Sequence, residues 1–176
     1  TGALLYRGES ARIAEVLLSG RETMDIREDD LRGPEIAELL VAHLHHTTSS
    51  SPPESMHALD LDALRAPDIT FWSVWDGPTL VGCGALKELD ATHGEVKSMH
   101  TAASFRGRGV GAAMLKHIIA ASKARGYRRL SLETGSMDAF APARLLYSRF
   151  GFAPCGPFSS YRPDPNSVFM TIDLNP

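Results

Sequence analysis

Two strand-like runs, Glu95 to Thr101 and Leu130 to Glu133, flank a glycine loop and a helical stripe. The loop reads Arg106-Gly107-Arg108-Gly109-Val110-Gly111, and the stripe of Val110, Met114, Ile118 and Ala121 stops at Gly126. A strand, helix, strand crossover makes its two strands parallel neighbours in one sheet. Glycines let successive backbone N–H groups turn toward one point, and the helix start adds partial positive charge, so the loop reads as an anion cradle.

Upstream, the pattern changes to period two. Thr23 to Arg27 alternates apolar and polar residues and predicts a first strand. Asp29, Asp30 and Pro34 suit the start of a helix that keeps Ile36, Leu39, Leu40 and Leu44 on one stripe until Pro52 and Pro53 end it. Leu59, Leu61 and Leu64 allow a short helix before Pro67. Ile69 to Trp75 and Leu80 to Leu86 are β-rich runs joined through Asp76-Gly77-Pro78, a hairpin signal, and a turn at His93-Gly94 is expected before the run from Glu95. After the crossover, Pro142 to Phe150 predicts a helix stopped by Gly151, and Ser167 to Ile172 a closing strand.

A chain of 176 residues with 43% hydrophobic composition suits one globular domain, expected at 22–176. Residues 1–21 are expected to be an N-terminal extension. The stretch from Ser10 reads as a short amphipathic helix without the apolar core of a signal peptide, and the chain opens at Thr1. A net charge of -3 argues against general nucleic-acid binding. No apolar run approaches the roughly 18 to 20 residues of a membrane helix, so no membrane partner is expected. Cys83 and Cys155 are too few and too far apart for a disulfide framework or a zinc knuckle, which fits the cytoplasm. The offsets of His43, His45 and His46 do not put three ligands on one helical face, so no metal is expected.

Three ligands compete for the loop. A nucleoside-triphosphate P-loop needs Lys-Ser/Thr after its last glycine, and Ala112-Ala113 stands there. A dinucleotide fingerprint fits the spacing Gly107-x-Gly109-x-x-Ala112, with Glu133 placed to hold a ribose. Against it, Thr101 to Arg106 intervene after a strand carrying Glu95 and Lys97, and hairpin strands precede the loop where βαβ units should be. The third ligand is coenzyme A, whose phosphates suit the acid-free stretch from Thr101 to Leu132, where Arg106, Arg108, Lys116, Lys123, Arg125, Arg128 and Arg129 all lie. For Lys123, Arg125, Arg128 and Arg129 a solvated helix face is the simpler reading.

The third reading takes in more than the loop. Arg106-x-x-Gly109-x-Gly111, following a strand and opening a helix, resembles the Q/R-x-x-G-x-G/A element of the GNAT superfamily of N-acetyltransferases. Leu146-Tyr147-Ser148-Arg149-Phe150-Gly151-Phe152 resembles the L-Y-x-x-x-G-F that closes the last helix of that family. The resemblance covers about residues 22 to 174, and the wider wording around Lys97-Ser98-Met99, Leu132 to Gly135 and Pro165 to Met170 is similar to small bacterial YsnE-like members. It implies a mixed α/β GNAT fold, with a mostly antiparallel sheet in which one parallel strand pair splays apart.

The resemblance also implies acetyl-CoA as co-substrate and roles for particular residues. Pantetheine would lie along Met99 and Thr101, and the pyrophosphate on Arg106, Gly107, Arg108, Gly109, Val110 and Gly111. Phe140 stands where many relatives carry an asparagine that contacts coenzyme A, so an aromatic contact replaces it. Glu95 is the first choice as the base that deprotonates the amine, because period-two alternation puts it on one face with Lys97, Met99 and Thr101. A surface carboxylate paired with Lys97 or His93 is the alternative. Glu133 is the reserve base, and alternation turns His100 to the opposite face from Glu95. Tyr147 holds the general-acid position, where a plain core tyrosine is the alternative. Candidates for substrate selection are Ser55, His57, Ser136 and Tyr161. The expected reaction is acetyl transfer to a primary amine of a small molecule or peptide, catalysed by a monomer or homodimer. A non-catalytic acyl-CoA sensor and a nicotinamide-dependent reductase stay open as alternatives.

Overall fold

The computed structural model describes residues 24–50 and 61–174, without the side chains of 46–50. Seven strands form one sheet in the order β1-β2-β3-β4-β5-β7-β6. They are β1 (Asp25–Glu28), β2 (Ile69–Asp76), β3 (Thr79–Asp90), β4 (His93–Thr101), β5 (Arg129–Gly135), β6 (Ala153–Cys155) and β7 (Ser167–Asp173). The helices are α1 (Pro34–Ser50), α2 (Leu61–Leu64), α3 (Val110–Ala124) and α4 (Ala141–Arg149). Every strand pair among the described residues is antiparallel except β4–β5, the two strands joined by the crossover through α3. This is the mixed α/β architecture that the pattern of runs predicts. Among the described residues it also lacks the repeated parallel units of a dinucleotide fold.

Alternation sorts the sheet's side chains into two cores. On one face Leu86, Val96, Leu130, Leu132 and Met170 pack with Val110, Met114, Leu115 and Ile118 of α3 and with Tyr147 of α4. On the other face Phe71, Cys83 and Ala85 pack with Ile36, Leu39 and Leu40 of α1 and Leu64 of α2. The helical stripes seen in sequence are the faces that these helices bury. Both cysteines are free; burial pushes the Cys83 thiol up to about 12, so it is inert at neutral pH.

Three local expectations need correction. The turn expected at His93-Gly94 lies at Ala91-Thr92, because the Asp90 carboxylate accepts from both the backbone N–H and the hydroxyl of Thr92 (2.8 and 2.9 Å) and closes the chain there. Strand β6 has no counterpart in the sequence reading: it is three residues long and contains Pro154, which is tolerated because β6 is an edge strand. The third lies within β4. Ala85 pairs with Lys97 but Cys83 with His100, so β4 holds one extra residue, and Ser98 takes a left-handed φ of 52°. This bulge reverses the alternation beyond it. The Met99 sulfur therefore lies beside Gly84, against Met114 and Ile118 of α3, while His100 bonds to His43 of α1 on the other face. Glu95 and Lys97 thus share a face with His100, and Met99 and Thr101 lie on the opposite one.

The expected extension at 1–21, the helix-breaking Pro52 and Pro53, and the candidates Ser55 and His57 lie outside the described residues.

The start of α3 lies close to β3 at Gly82, where a Cβ would come within 2.6 Å of Val110 Cγ1 and 2.9 Å of the His100 carbonyl. Gly82→Ala is therefore expected to cost about 1–3 kcal/mol in urea unfolding, since backbone must shift to admit the methyl. Gly156→Ala, with open space around the added carbon, is the control and stays within about 0.5 kcal/mol of wild type.

Candidate active site

Strands β4 and β5 are hydrogen-bonded over four residue pairs only, from His93–Arg129 to Val96–Leu132. Both continue beyond that point, β4 to Thr101 and β5 to Gly135, without pairing again. The bulge at Ser98 follows immediately. A cleft of about 570 Å³ occupies the opening. The backbone N–H and C=O groups that β4 and β5 turn toward each other there have no strand partner, which leaves them for a ligand.

One end of the cleft is the glycine loop. Gly107 and Gly109 have φ of 76° and 88°, a conformation that side-chain-bearing residues adopt at a cost. Gly109 is the N-cap of α3 and supplies no capping side chain, and the first turn of the helix holds no acid. The helix's own bonding begins with the Ala113 N–H to the Gly109 carbonyl (2.9 Å), so it leaves the N–H groups of Val110, Gly111 and Ala112 unclaimed. All three residues line the cleft, together with Arg106. Arg108 does not; its guanidinium stacks over Phe105, 4.9 Å from the ring centroid. Lys116, Lys123, Arg125, Arg128 and Arg129 are exposed and lie outside the cleft. Unclaimed backbone donors at a helix start are the chemistry that holds an anion.

The middle of the cleft is walled by Met99 and Thr101 of β4 and by Phe140, Leu146 and Tyr147. The Phe140 ring fills the space where a Cβ would stand at Gly135. Arg144 holds the start of α4 to the end of β5 by donating to the carbonyls of Gly135 and Met137 (2.6 and 2.9 Å). Tyr147 is 7% exposed, with its ring 6.0 Å from Phe152. No buried side-chain oxygen or nitrogen among the described residues lacks a partner, yet the Tyr147 hydroxyl has none in the protein, so it opens on the cleft. Burial, helped by the Glu133 charge, holds its phenol well above the ordinary value, so it keeps its proton through neutral and mildly alkaline pH.

The far end carries a cluster that the sequence reading did not assemble. Glu95 is 3% exposed. Lys97 Nζ donates to Glu95 Oε1 at 2.8 Å and to the Tyr161 hydroxyl at 2.9 Å, and the Tyr161 hydroxyl donates to Glu95 Oε1 at 2.7 Å. Both bonds to Glu95 fall on Oε1. Oε2 has no protein partner and, by the same argument as for Tyr147, faces the cleft. Burial, followed by the charge and hydrogen bond of Glu95 and the charge of Glu133, pushes the Tyr161 phenol up, so it remains a donor. Tyr161 comes from the β6–β7 connection and is seated by Phe158 and Phe169, with ring centroids 5.1 and 5.4 Å away.

Glu133 lines the same cleft and accepts from Ser167 Oγ at 2.7 Å. His43 and His100 line it too, with their Nδ1 atoms 3.2 Å apart. Ser136 does not line it; its hydroxyl donates to the Pro165 carbonyl at 3.0 Å and ties β5 to the loop before β7. The pairing of Glu95 with Lys97, weighed in sequence as the plain alternative, is present but inside the cleft. Period two predicts that pair; nothing local predicts Tyr161, 66 residues away, as its third member. Among the described residues no group of three or more His, Cys, Asp or Glu is placed to hold a metal, and no helix is long and apolar enough to cross a membrane.

Comparison with known proteins places this geometry. Residues 34–152 match the model of the acetyltransferase (GNAT) family. The chain is 60% identical to the uncharacterised N-acetyltransferase YsnE of Bacillus subtilis over 151 residues, which is 86% of this chain and all of that protein. It is 48% identical to the uncharacterised N-acetyltransferase YedL of Escherichia coli over 85% of this chain and 94% of that one. An IAA acetyltransferase of Azospirillum brasilense is 43% identical over 70% of this chain and 80% of its own. Among solved structures, a Klebsiella pneumoniae protein assigned as an acyl-CoA N-acyltransferase superimposes with a TM-score of 0.70 at 26% identity, covering 88% of this chain and all of that one. A GNAT acetyltransferase of Elizabethkingia anophelis with acetyl-CoA bound shares the fold, at a TM-score of 0.63 and 18% identity over 87% of this chain and 99% of that one. With the opened strand pair, the uncapped glycine loop and these relatives in agreement, the chain belongs to the acetyltransferase (GNAT) family, and its enzyme class is that of an acyl-CoA-dependent N-acyltransferase.

Proposed function

We propose that this enzyme moves an acetyl group from acetyl-CoA to a primary amine of a small molecule or peptide by direct attack in a ternary complex. One observation carries the reading: a single cleft joins an anion-binding helix start to a buried carboxylate with an open oxygen, and an unbonded, protonated tyrosine hydroxyl lines the same cleft. Acetyl-CoA supplies the activated acyl group and the thiol leaving group. The protein supplies binding, orientation and proton handling.

In this reading the N–H groups of Val110, Gly111 and Ala112, with Gly107, Gly109 and Arg106, hold the pyrophosphate. The unpaired backbone of β4 from Met99 to Thr101 holds the pantetheine arm, and Phe140 packs against it. Free N–H groups of that stretch also face the acyl oxygen and stabilise the negative charge it gains. Arg108, stacked on Phe105, supports the loop.

Glu95 Oε2 takes a proton from the acceptor ammonium, whose ordinary pKa lies near 10, and so exposes its lone pair. The amine nitrogen forms the new C–N bond as the C–S bond breaks. Tyr147 gives its proton to the departing sulfur. The nitrogen sheds two protons in all: one replaces the proton given by Tyr147, and the other leaves through Glu95 to solvent. Glu133, bonded to Ser167 and facing the same end, adds negative charge that favours the incoming ammonium. The buried Glu95–Lys97–Tyr161 cluster is what distinguishes this from a passive acyl-CoA sensor, which has no use for a solvent-excluded carboxylate with a free oxygen.

The test is release of coenzyme A thiol from acetyl-CoA across an amine library. Glu95→Gln is expected to lower kcat/KM roughly 10²-fold or more while the Kd for acetyl-CoA is unchanged. The residual rate should climb tenfold per pH unit below the amine's pKa, because free amine must then come from solution. A rate equal to wild type across pH removes Glu95 from the chemistry.

Tyr147→Phe keeps the ring in the core and removes only the proton donor. It is expected to lower kcat roughly 10²-fold with an unchanged unfolding midpoint. Full activity returns the residue to a packing role.

A further inference from the structure

The cluster at the far end of the cleft carries more than a base, and the inference rests on reading that end as the acceptor site. Glu95 and Lys97 are two residues apart on one strand, on the same face, and both line the cleft. The pleat, rather than a flexible chain, sets their spacing. Tyr161 bonds to both and holds Nζ and Oε1 2.8 Å apart. Each charge is only partly satisfied. Glu95 uses Oε1 for both of its bonds and leaves Oε2 open. Lys97 has three N–H donors, of which two are spent on Glu95 and Tyr161. With side-chain exposures of 11% and 4%, bulk water does little to complete either group once a ligand fills the cleft.

We infer that the acceptor is a zwitterion, a free α-amino acid, whose ammonium docks on Glu95 Oε2 and whose carboxylate accepts from the third N–H of Lys97. The amino nitrogen and a carboxylate oxygen of an α-amino acid lie roughly 3 Å apart by ordinary bond lengths, so one small ligand can span a carboxylate and an ammonium whose nearest atoms, Glu95 Oε1 and Lys97 Nζ, are 2.8 Å apart. Such a ligand completes both partners and adds no net charge to a buried site. The alternatives each leave a cost. A simple alkylamine meets Glu95 and leaves the third donor of Lys97 unmet. A diamine or polyamine adds a further cation to the same pocket. An acid without an amine meets Glu95 and has no nucleophile. Glu133, on the same side, favours the ammonium end of the zwitterion and makes Lys97 the group that selects for a carboxylate.

The experiment measures thiol release by the full chain from acetyl-CoA with the twenty common α-amino acids. For each one that reacts, the decarboxylated amine and the carboxamide of the same side chain are measured beside it. At least one amino acid is expected to react with a kcat/KM 10-fold or more above both of its partners. Lys97→Met is expected to collapse that ratio toward one while acetyl-CoA affinity stays at the wild-type value. If the decarboxylated amines react as well as or better than the amino acids in the wild-type enzyme, or simple amines react and no amino acid does, the inference is overturned, whatever the variant does. If no acceptor of either kind is acetylated while acetyl-CoA still binds, the inference is overturned, and the acyl-transfer reading fails as well only if the wider amine library also gives no thiol release.

Discussion

The early end of the β4–β5 ladder is the constraint on which the rest depends. Four paired residues join the strands before they part, and the extra residue at Ser98 prevents β4 from resuming the register. A fully zipped parallel pair would satisfy its own backbone and leave nothing for a ligand. The parting does two things at once. It makes unpaired backbone available along β4, and it opens a channel from the start of α3 to Glu95. The bulge adds a division of labour, because Glu95 and Lys97 before it and His100 after it lie on the face toward α1 and the Tyr161 loop, while Met99 and Thr101 lie on the face toward α3. In the proposed reaction, cofactor contacts and acceptor contacts thereby fall on opposite sides of one strand.

The buried charges at Glu95 and Lys97 depend on the same geometry. Ion pairs cut off from water gain little net stability, so stability alone does not account for this one. Here the strand pleat supplies the spacing, and a loop tyrosine seated by Phe158 and Phe169 supplies the third contact. An unbonded oxygen on so enclosed a carboxylate is unfavourable by itself and suits the proposed role of receiving an ammonium.

What was legible in the sequence follows from what is local. The crossover from Glu95 to Glu133, the hairpin at Gly77, the stop at Gly126 and the loop glycines depend on spacing and on backbone preferences within a few residues, and they stand in the structure where the pattern puts them. Three things were not legible in this way. Ser98 carries no mark of a left-handed conformation, so strict alternation put Met99 with Glu95 and His100 away from it, the reverse of the actual arrangement. Tyr161 reaches Glu95 only because the β6–β7 connection crosses the sheet, a contact that no periodicity encodes. Ser136, a candidate for substrate selection, spends its hydroxyl on the Pro165 carbonyl, which spacing does not show.

The measurement that bears most directly on this account is amide hydrogen–deuterium exchange of the full chain with and without coenzyme A. If the parted strands and the uncapped helix start form one ligand channel, coenzyme A slows exchange together in two stretches, Met99 to Thr101 and Gly107 to Ala112, and leaves the β2–β3 hairpin unchanged. Protection confined to another surface, or coenzyme A binding without protection of both stretches, would contradict it.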